Sequence, residues 1–284
     1  MRIDLHAHSA VSDGTDPPAA LVGKAAAAGL DVVALTDHDT TAGWEAAAAA
    51  AATAGIVVVP GAELSTIGPY GAGLHLLAYL FDAGHVALAA ELDQIRDDRV
   101  PRLERMTQRL RDGGSHVTWD DVLEQADAAD SLGRPHLADA LVARGEAASR
   151  EDAFTRLIGT RSPAYVAKHA PFTADLIEVV RAAGGVTVIA HPWSRNRRRG
   201  LPPEAIADLA AAGLHGLEVD HPDHDQATRE ELRALAHDLG LTATGSSDYH
   251  GSGKVGHDLG TCVTDPEAYE ALVAAAHGAR PVGG

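Results

Sequence analysis

Arg2-Ile3-Asp4-Leu5-His6-Ala7-His8 opens on a short apolar run and closes it with two imidazoles set two residues apart. Alternate residues of a strand face the same side, so histidines with this spacing at a strand's C-terminal end can grip one metal ion together. The pattern of polar groups at the ends of apolar runs then continues. Asp13 follows after a short turn, Thr36-Asp37-His38-Asp39 closes the next run, and Gly61-Ala62-Glu63 the one after that. Farther on come His75 in Leu74-His75-Leu76-Leu77, His191 in Val188-Ile189-Ala190-His191-Pro192, and Ser246-Ser247-Asp248-Tyr249-His250. When strands alternate with helices, their ends converge on one face of a closed parallel barrel, where barrel enzymes place their chemistry. A lone histidine is more often a hydrogen-bonded structural residue. This many His, Asp and Glu at strand ends would leave costly buried polar groups without a common partner such as metal, and predicts a polynuclear metal site.

The 284 residues suffice for one barrel-sized domain or a domain with a sizeable insertion, and the 45% hydrophobic fraction suits a packed globular chain. No apolar run approaches membrane-spanning length once the weakly hydrophobic alanines are discounted, and the first motif leaves no room for a signal peptide. A cytoplasmic location without membrane attachment is expected. The single Cys262 removes both a disulfide framework and thiolate ligands, leaving oxygen and imidazole donors that favour Mn, Fe or Zn. The net charge of −17 argues against duplex DNA, which is bound through a cationic face. A small phosphate ester or a single-strand end is compatible with it, because bound divalent cations reverse the local field. Only three of the 23 cations are Lys, which reads as a coding-composition bias.

From Met1 to about Leu80, β-like runs (Ile3-Asp4-Leu5, Val32 to Leu35, Ile56 to Val59) alternate with Ala-rich helical stretches, one opening at Pro17-Pro18 and one over Ala46 to Ala54. Strand signals vanish between about Gly84 and Thr173, where helical spacing recurs in Leu92 to Leu110, Trp119 to Ala128, His136 to Ala143 and Glu151 to Leu157. The rhythm resumes with Val186 to Ala190, Gly216 to Val219 and Leu241 to Thr244, and a last helix is predicted over Pro266 to Ala276. The expected organisation is a barrel domain over 1–83 and 174–284, interrupted by a helical insertion domain over 84–173.

His6-Ala7-His8-Ser9, Leu35-Thr36-Asp37-His38-Asp39, Gly61-Ala62-Glu63, Ala190-His191-Pro192 and Ser247-Asp248-Tyr249-His250 resemble, in order, the motifs of the PHP (polymerase and histidinol phosphatase) superfamily. The resemblance implies a distorted TIM-like (β/α)7 barrel and a trinuclear centre, with two to three divalent ions, that hydrolyses phosphate esters through a metal-bridging hydroxide. Carried over by motif, His6, His8, Glu63 and Asp248 would hold the first ion, and Glu63 would bridge to a second that also takes His75 and His191. Asp13, His38 and His250 would hold the third. A place for His75 in the core among its leucines stays open.

Gly133-Arg134-Pro135-His136, Leu217-Glu218-Val219 with His221, and the chain length look like the branch of small phosphoesterases acting on nucleotides. That branch implies a phosphatase for the 3′-phosphate of nucleoside 3′,5′-bisphosphates. The alternatives, in order, are a 5′-3′ exonuclease on short RNA or oligonucleotides, a histidinol phosphatase, and a non-catalytic metal-binding regulatory module. Arg134 can grip a phosphate bidentately with His136 donating beside it, although Pro135 equally suits a capped helix start. His221 or His136 is the candidate acid for the leaving alkoxide, or a base-stacking or sugar-binding residue. Arg195, Arg197, Arg198 and Arg199 follow His191 closely and would collect a second phosphate or a strand backbone, or form a solvated loop.

Overall fold

The computed structural model describes residues 1–126, 131–194 and 200–284. Its first strand, β1 (Ile3–Asp4), leads through the His6 to Gly14 loop into α1 (Pro18–Ala27), whose prolines occupy positions where a missing donor costs little. Strand β2 (Val32–Leu35) is buried on both faces, as a parallel strand covered by helices must be. Helix α2 (Trp44–Ala54) starts two residues before the expected Ala46, and Gly55 at φ 66° ends it in the left-handed conformation that glycine adopts without strain. Strand β3 (Val57–Ile67) follows, parallel to β2.

Here the structure corrects the all-parallel expectation. A tight turn over 68–72, closed by the Gly68 N–H donating to the Ala72 carbonyl, returns the chain at once as β4 (Gly73–Tyr79), antiparallel to β3. A parallel return needs a crossover of a dozen or more residues, and this turn has no room for one. His75 therefore enters the site near the start of an antiparallel strand, paired with Ser65.

Helix α3 (Val86–Asp112) extends the expected helix at its start and carries Pro101 internally. Leu88 and Leu92 on its first half pack with Leu176, Ile177 and Val180 of the barrel layer. Leu103, Met106 and Leu110 on its second half join a separate core with Val117, Val122, Leu137, Leu141 and Ile158. That core unites α3 with α4 (Trp119–Ala126), α5 (Arg134–Ala143), α6 (Arg150–Ala153) and a π-helical turn over Phe154–Ile158, each fully buried aliphatic contributing about 1.5–3 kcal/mol.

The chain returns through α7 (Thr173–Ala182) to β5 (Val186–Ile189), then α8 (Pro203–Ala211), β6 (Gly216–Asp220), α9 (Gln226–Asp238), β7 (Thr242–Gly245) and α10 (Pro266–Ala275). Strand order in space follows chain order from β1 to β7, while β8 (Val282–Gly283) pairs with β3. A parallel bridge between Ala7 and Tyr249, where the His8 N–H donates to the Tyr249 carbonyl at 2.8 Å, brings the ends of the series together into a nearly closed seven-strand barrel. Among the described residues, no helix is long and apolar enough to cross a membrane.

Candidate metal centre

The barrel end reached by β3 and left by β4 gathers the polar residues that the sequence singles out. His6 and His8 extend β1, Asp13 lies on the following turn, and His38 follows β2. Glu63 and His75 face inward from β3 and β4, His191 follows β5, and Asp248 and His250 follow β7. His191 at φ 30° and Asp248 at φ 52° occupy left-handed backbone that non-glycine residues hold only when their surroundings over-determine it.

His6 Nε2 and His8 Nε2 face each other at 3.0 Å, and both lie 3.1–3.2 Å from Glu63 Oε2 and 3.4–3.5 Å from Asp248 Oδ1. The other Glu63 oxygen meets His75 Nδ1 at 2.7 Å and His191 Nε2 at 3.1 Å. Asp13 meets His250 Nε2 at 3.3 Å and His38 Nε2 at 3.6 Å, while His38 Nδ1 lies 3.2 Å from Glu63. All nine side chains fall into one connected nest, and Glu63 stands at its centre.

The donor set fits divalent cations. Two imidazole nitrogens pointing at one another are poor partners by themselves, but ligands about 2.0–2.1 Å from one ion would be separated by about 3 Å. His8 Nδ1 and His191 Nδ1 are buried with no hydrogen-bond partner among the described residues. His6 Nδ1 faces Glu218 Oε1 at 3.0 Å, the carboxylate-histidine pairing that leaves Nε2 bare for a cation. His250 Nδ1 donates to the Asp248 carbonyl at 2.9 Å and leaves its Nε2 toward Asp13 in the same way.

Burial opposes charge on Asp13, Glu63 and Asp248, yet the histidines around them, and Lys254 beside Asp248, hold all three well below the usual carboxylate range. His8 is also desolvated, but the Asp248 and Glu63 carboxylates outweigh that and lift it to about 10. For His38 and His191 burial prevails over Glu63 and pushes them down to about 3. Protons and cations thus compete for the same nitrogens.

Three partners of the nest escaped the sequence reading in this role. Glu218 accepts from the His191 N–H at 2.7 Å and from Ser246 Oγ besides facing His6, so it fixes two loops at once. Lys254 donates to Asp248 Oδ2, on the side away from His6 and His8. Asp39, at φ 55° and held at about 2 by Arg99 and Lys168 against its burial, accepts from Arg99 and from the Ser65 N–H at 2.6 Å. The scarcity of lysine was a usable signal: of Lys24, Lys168 and Lys254, two stand at this end of the barrel.

Beside the nest a cavity of about 390 Å³ opens between barrel and insertion. Asp13, His38 and His75 line one wall; Arg99, Arg102, Arg134 and Lys168 line the other. Arg134 is laid across the Phe154 and Tyr165 rings at 5.1 and 5.5 Å, which fixes the plane of its guanidinium. Arg99 Nε is buried there with no hydrogen-bond partner among the described residues. Burial among Arg99, Arg102 and Arg134 pushes Lys168 down to about 7, against the pull of Asp39.

The proposed acids occupy different settings. His136 Nδ1 accepts the Gly133 N–H at 3.0 Å, and the ring also bonds the Ser12 backbone, so the capped helix start engages it fully. That arrangement leaves the ring no free nitrogen for a substrate. His221 Nδ1 accepts the Asp223 N–H at 3.0 Å, which places the remaining proton on Nε2, 3.2 Å from Asp248 Oδ2. The same tautomer makes His221 a poor ligand within the neighbouring group of His221, Asp248 and His257. Arg195 and the Arg197 to Arg199 run lie outside the described residues.

Residues 4–113 match the PHP domain family. The chain is 35% identical over 259 residues to a 3′,5′-nucleoside bisphosphate phosphatase of Chromobacterium violaceum, covering 91% of this chain and 90% of that protein. It is 33% identical over 249 residues to a 5′-3′ exoribonuclease of Haemophilus influenzae, covering 88% and 90% respectively. A crystal structure assigned as a metal-dependent phosphoesterase of Bifidobacterium adolescentis superimposes with a TM-score of 0.91 at 37% identity, covering 97% of this chain and 96% of the other. With these relatives and this nest of ligands, the chain belongs to the PHP family and is a metal-dependent phosphoesterase.

Proposed function

We propose that the chain removes the 3′-phosphate of nucleoside 3′,5′-bisphosphates, with two to three divalent ions, Mn, Fe or Zn, held by the nest from His6 to His250. The observation that carries this reading is the cationic wall of Arg99, Arg102, Arg134 and Lys168 facing the nest across a nucleotide-sized cavity, in a chain of net charge −17. Cations bound in the nest would neutralise phosphate oxygens and lower the pKa of water to give a nucleophile at neutral pH.

The chain's own residues do the rest. Arg134, its plane set by Phe154 and Tyr165, would hold the phosphate that is not cleaved, with the positive charge of Arg99 behind it. Lys254 and His221 hold Asp248 Oδ2, which keeps Oδ1 aimed at His6 and His8. In this role His221 orients a ligand. The insertion over 84–173 supplies substrate contacts and the barrel supplies the reacting centre.

A second reading, stepwise release of nucleotides from the 5′ end of short RNA, is favoured by the arginines at 195 and 197–199, beside His191 in sequence. Product release by the Mn-loaded protein is the test, followed as inorganic phosphate from a nucleoside bisphosphate, a nucleoside 3′-monophosphate and histidinol phosphate, and as 5′-mononucleotide from short 5′-phosphorylated RNA. The bisphosphate should give the highest kcat/KM; a preference for either of the last two overturns the reading.

A further inference from the structure

The candidate ligands are not all anchored in the same way. His6, His8, Glu63, His75, His191 and Asp248 stand on barrel strands or directly beyond them, whereas Asp13 and His250 belong to loops whose backbone is tied to the insertion. Arg150, the first residue of α6, makes that tie. Its Nε and Nη2 donate to the two oxygens of Asp139, each at 2.6 Å, and its Nη1 reaches the Asp13 carbonyl at 3.4 Å and the Gly253 carbonyl at 3.3 Å. A fork whose other two nitrogens are spent on one carboxylate presents its third nitrogen in a fixed direction.

The fit is close. A Cβ at Gly253 would come within 2.4 Å of Arg150 Nη1, so a larger residue there would displace the guanidinium. The two loops are also joined to each other, through the Thr15 N–H donating to the His250 carbonyl at 3.2 Å and the Ser252 N–H to Thr15 Oγ1 at 3.0 Å. Two further bonds bring the insertion onto the Asp13 loop: Ser131 N–H to the Val11 carbonyl at 3.1 Å, and His136 to the backbone of Ser12.

We propose that Arg150 is a positioning residue for the ion held by Asp13, His38 and His250, so that the docked insertion completes that one site. The proposal rests on the metal-centre reading above. Among the described residues, Arg150 makes no bond to the ligands of the other two groups, His6, His8, Glu63 and Asp248, or Glu63, His75 and His191; there the insertion acts at one remove, through Arg99 on Asp39 and Ser65 beside Glu63. The third ion is therefore the one whose affinity depends on Arg150. Because the same insertion carries the cationic wall, a nucleotide in the cavity and the third ion favour the same docked arrangement, and each tightens the other.

The test is equilibrium dialysis of the full-length protein against graded Mn²⁺, with metal content per chain measured for wild type, Arg150→Ala, Arg150→Lys and Asp139→Asn, and folding followed by thermal melting. Wild type should take up three ions. Arg150→Ala should keep two at wild-type affinity and bind the third about tenfold more weakly, the size expected for lost charge-assisted bonds, with Arg150→Lys between the two. AMP should tighten the third ion in wild type and do so less in Arg150→Ala. Should Arg150→Ala fail to fold, Asp139→Asn, which keeps the shape and loosens the fork, should show the same selective loss. Equal third-ion binding in folded variant and wild type overturns the proposal, as does an equal weakening of all three ions. A wild type that saturates at two ions also overturns the proposal, since no third ion is then left to position, whereas one that binds fewer than two contradicts the metal-centre reading instead.

Discussion

On the barrel side of the cavity stand Asp13, His38 and His75, part of a nest of carboxylates and imidazoles; on the insertion side stand Arg99, Arg102, Arg134 and Lys168. The first wall is built from strands and the loops that leave them, and two further residues of its nest, His191 and Asp248, are held in left-handed backbone. The second is built from helices with a core of their own and from the segment before α7, and its Arg99 and Arg134 are fixed by Asp39 and by two aromatic rings. In the function proposed above, this division separates reaction from recognition. Changes on the barrel wall should abolish turnover for every substrate, whereas changes on the insertion wall should alter which substrate is preferred.

The largest effect should come from the barrel wall. His8→Ala or Asp248→Ala should lower turnover about a thousandfold or more at saturating Mn, given the several kcal/mol of charge stabilisation that metal ions supply, while thermal melting stays near wild type. A variant with near-normal turnover would remove that wall from the chemistry. On the opposite wall, Arg134→Ala should cost about 2–4 kcal/mol in kcat/KM on a bisphosphate and clearly less on a monophosphate. Equal losses on both would move Arg134 to the scissile phosphate and blur the division.

Lys168 sharpens the comparison through pH. With its proton held to about pH 7 by burial among the arginines, the second wall loses one positive charge as pH rises through that value. KM for the bisphosphate should rise between about pH 6 and 9, and Lys168→Arg, which stays charged, should flatten the rise. The folded chain binds this proton more weakly than the unfolded chain does, so Lys168 adds stability as pH climbs from about 7 toward the ordinary lysine value. A KM profile identical in variant and wild type would place Lys168 outside the substrate's reach.

The smallest effect is expected from replacing Arg197, Arg198 and Arg199 together with Ser. Capture of oligonucleotides should weaken and the salt dependence of their KM should flatten, with mononucleotide hydrolysis almost unchanged. The same KM and salt slope at every substrate length would leave the exonuclease reading without support from this cluster.

The barrel wall was legible in the sequence because strand-end residues carry their own context. Val32 to Leu35 and Val186 to Ile189 are apolar runs of strand length, and a His or Asp just past each can point only into the shared end of the barrel. The direction of β4 was not legible, since Leu74-His75-Leu76-Leu77 reads alike both ways and only the brevity of the 68–72 turn decides it. On the insertion wall, Arg99, Arg102 and Lys168 come together only when α3 and the segment before α7 fold against Asp39. No local spacing marks them. His136 shows the converse, because the Gly-Arg-Pro-His run that looked catalytic is also a helix start, and in this structure the ring serves that start.

The most direct test of the central claim is to identify the product formed from a nucleoside 3′,5′-bisphosphate by the Mn-loaded wild type. If the insertion wall holds one phosphate while the nest cleaves the other, a single phosphate should be released and the nucleoside 5′-monophosphate should accumulate. Release of the 5′-phosphate, or of both phosphates at similar rates, would contradict the account.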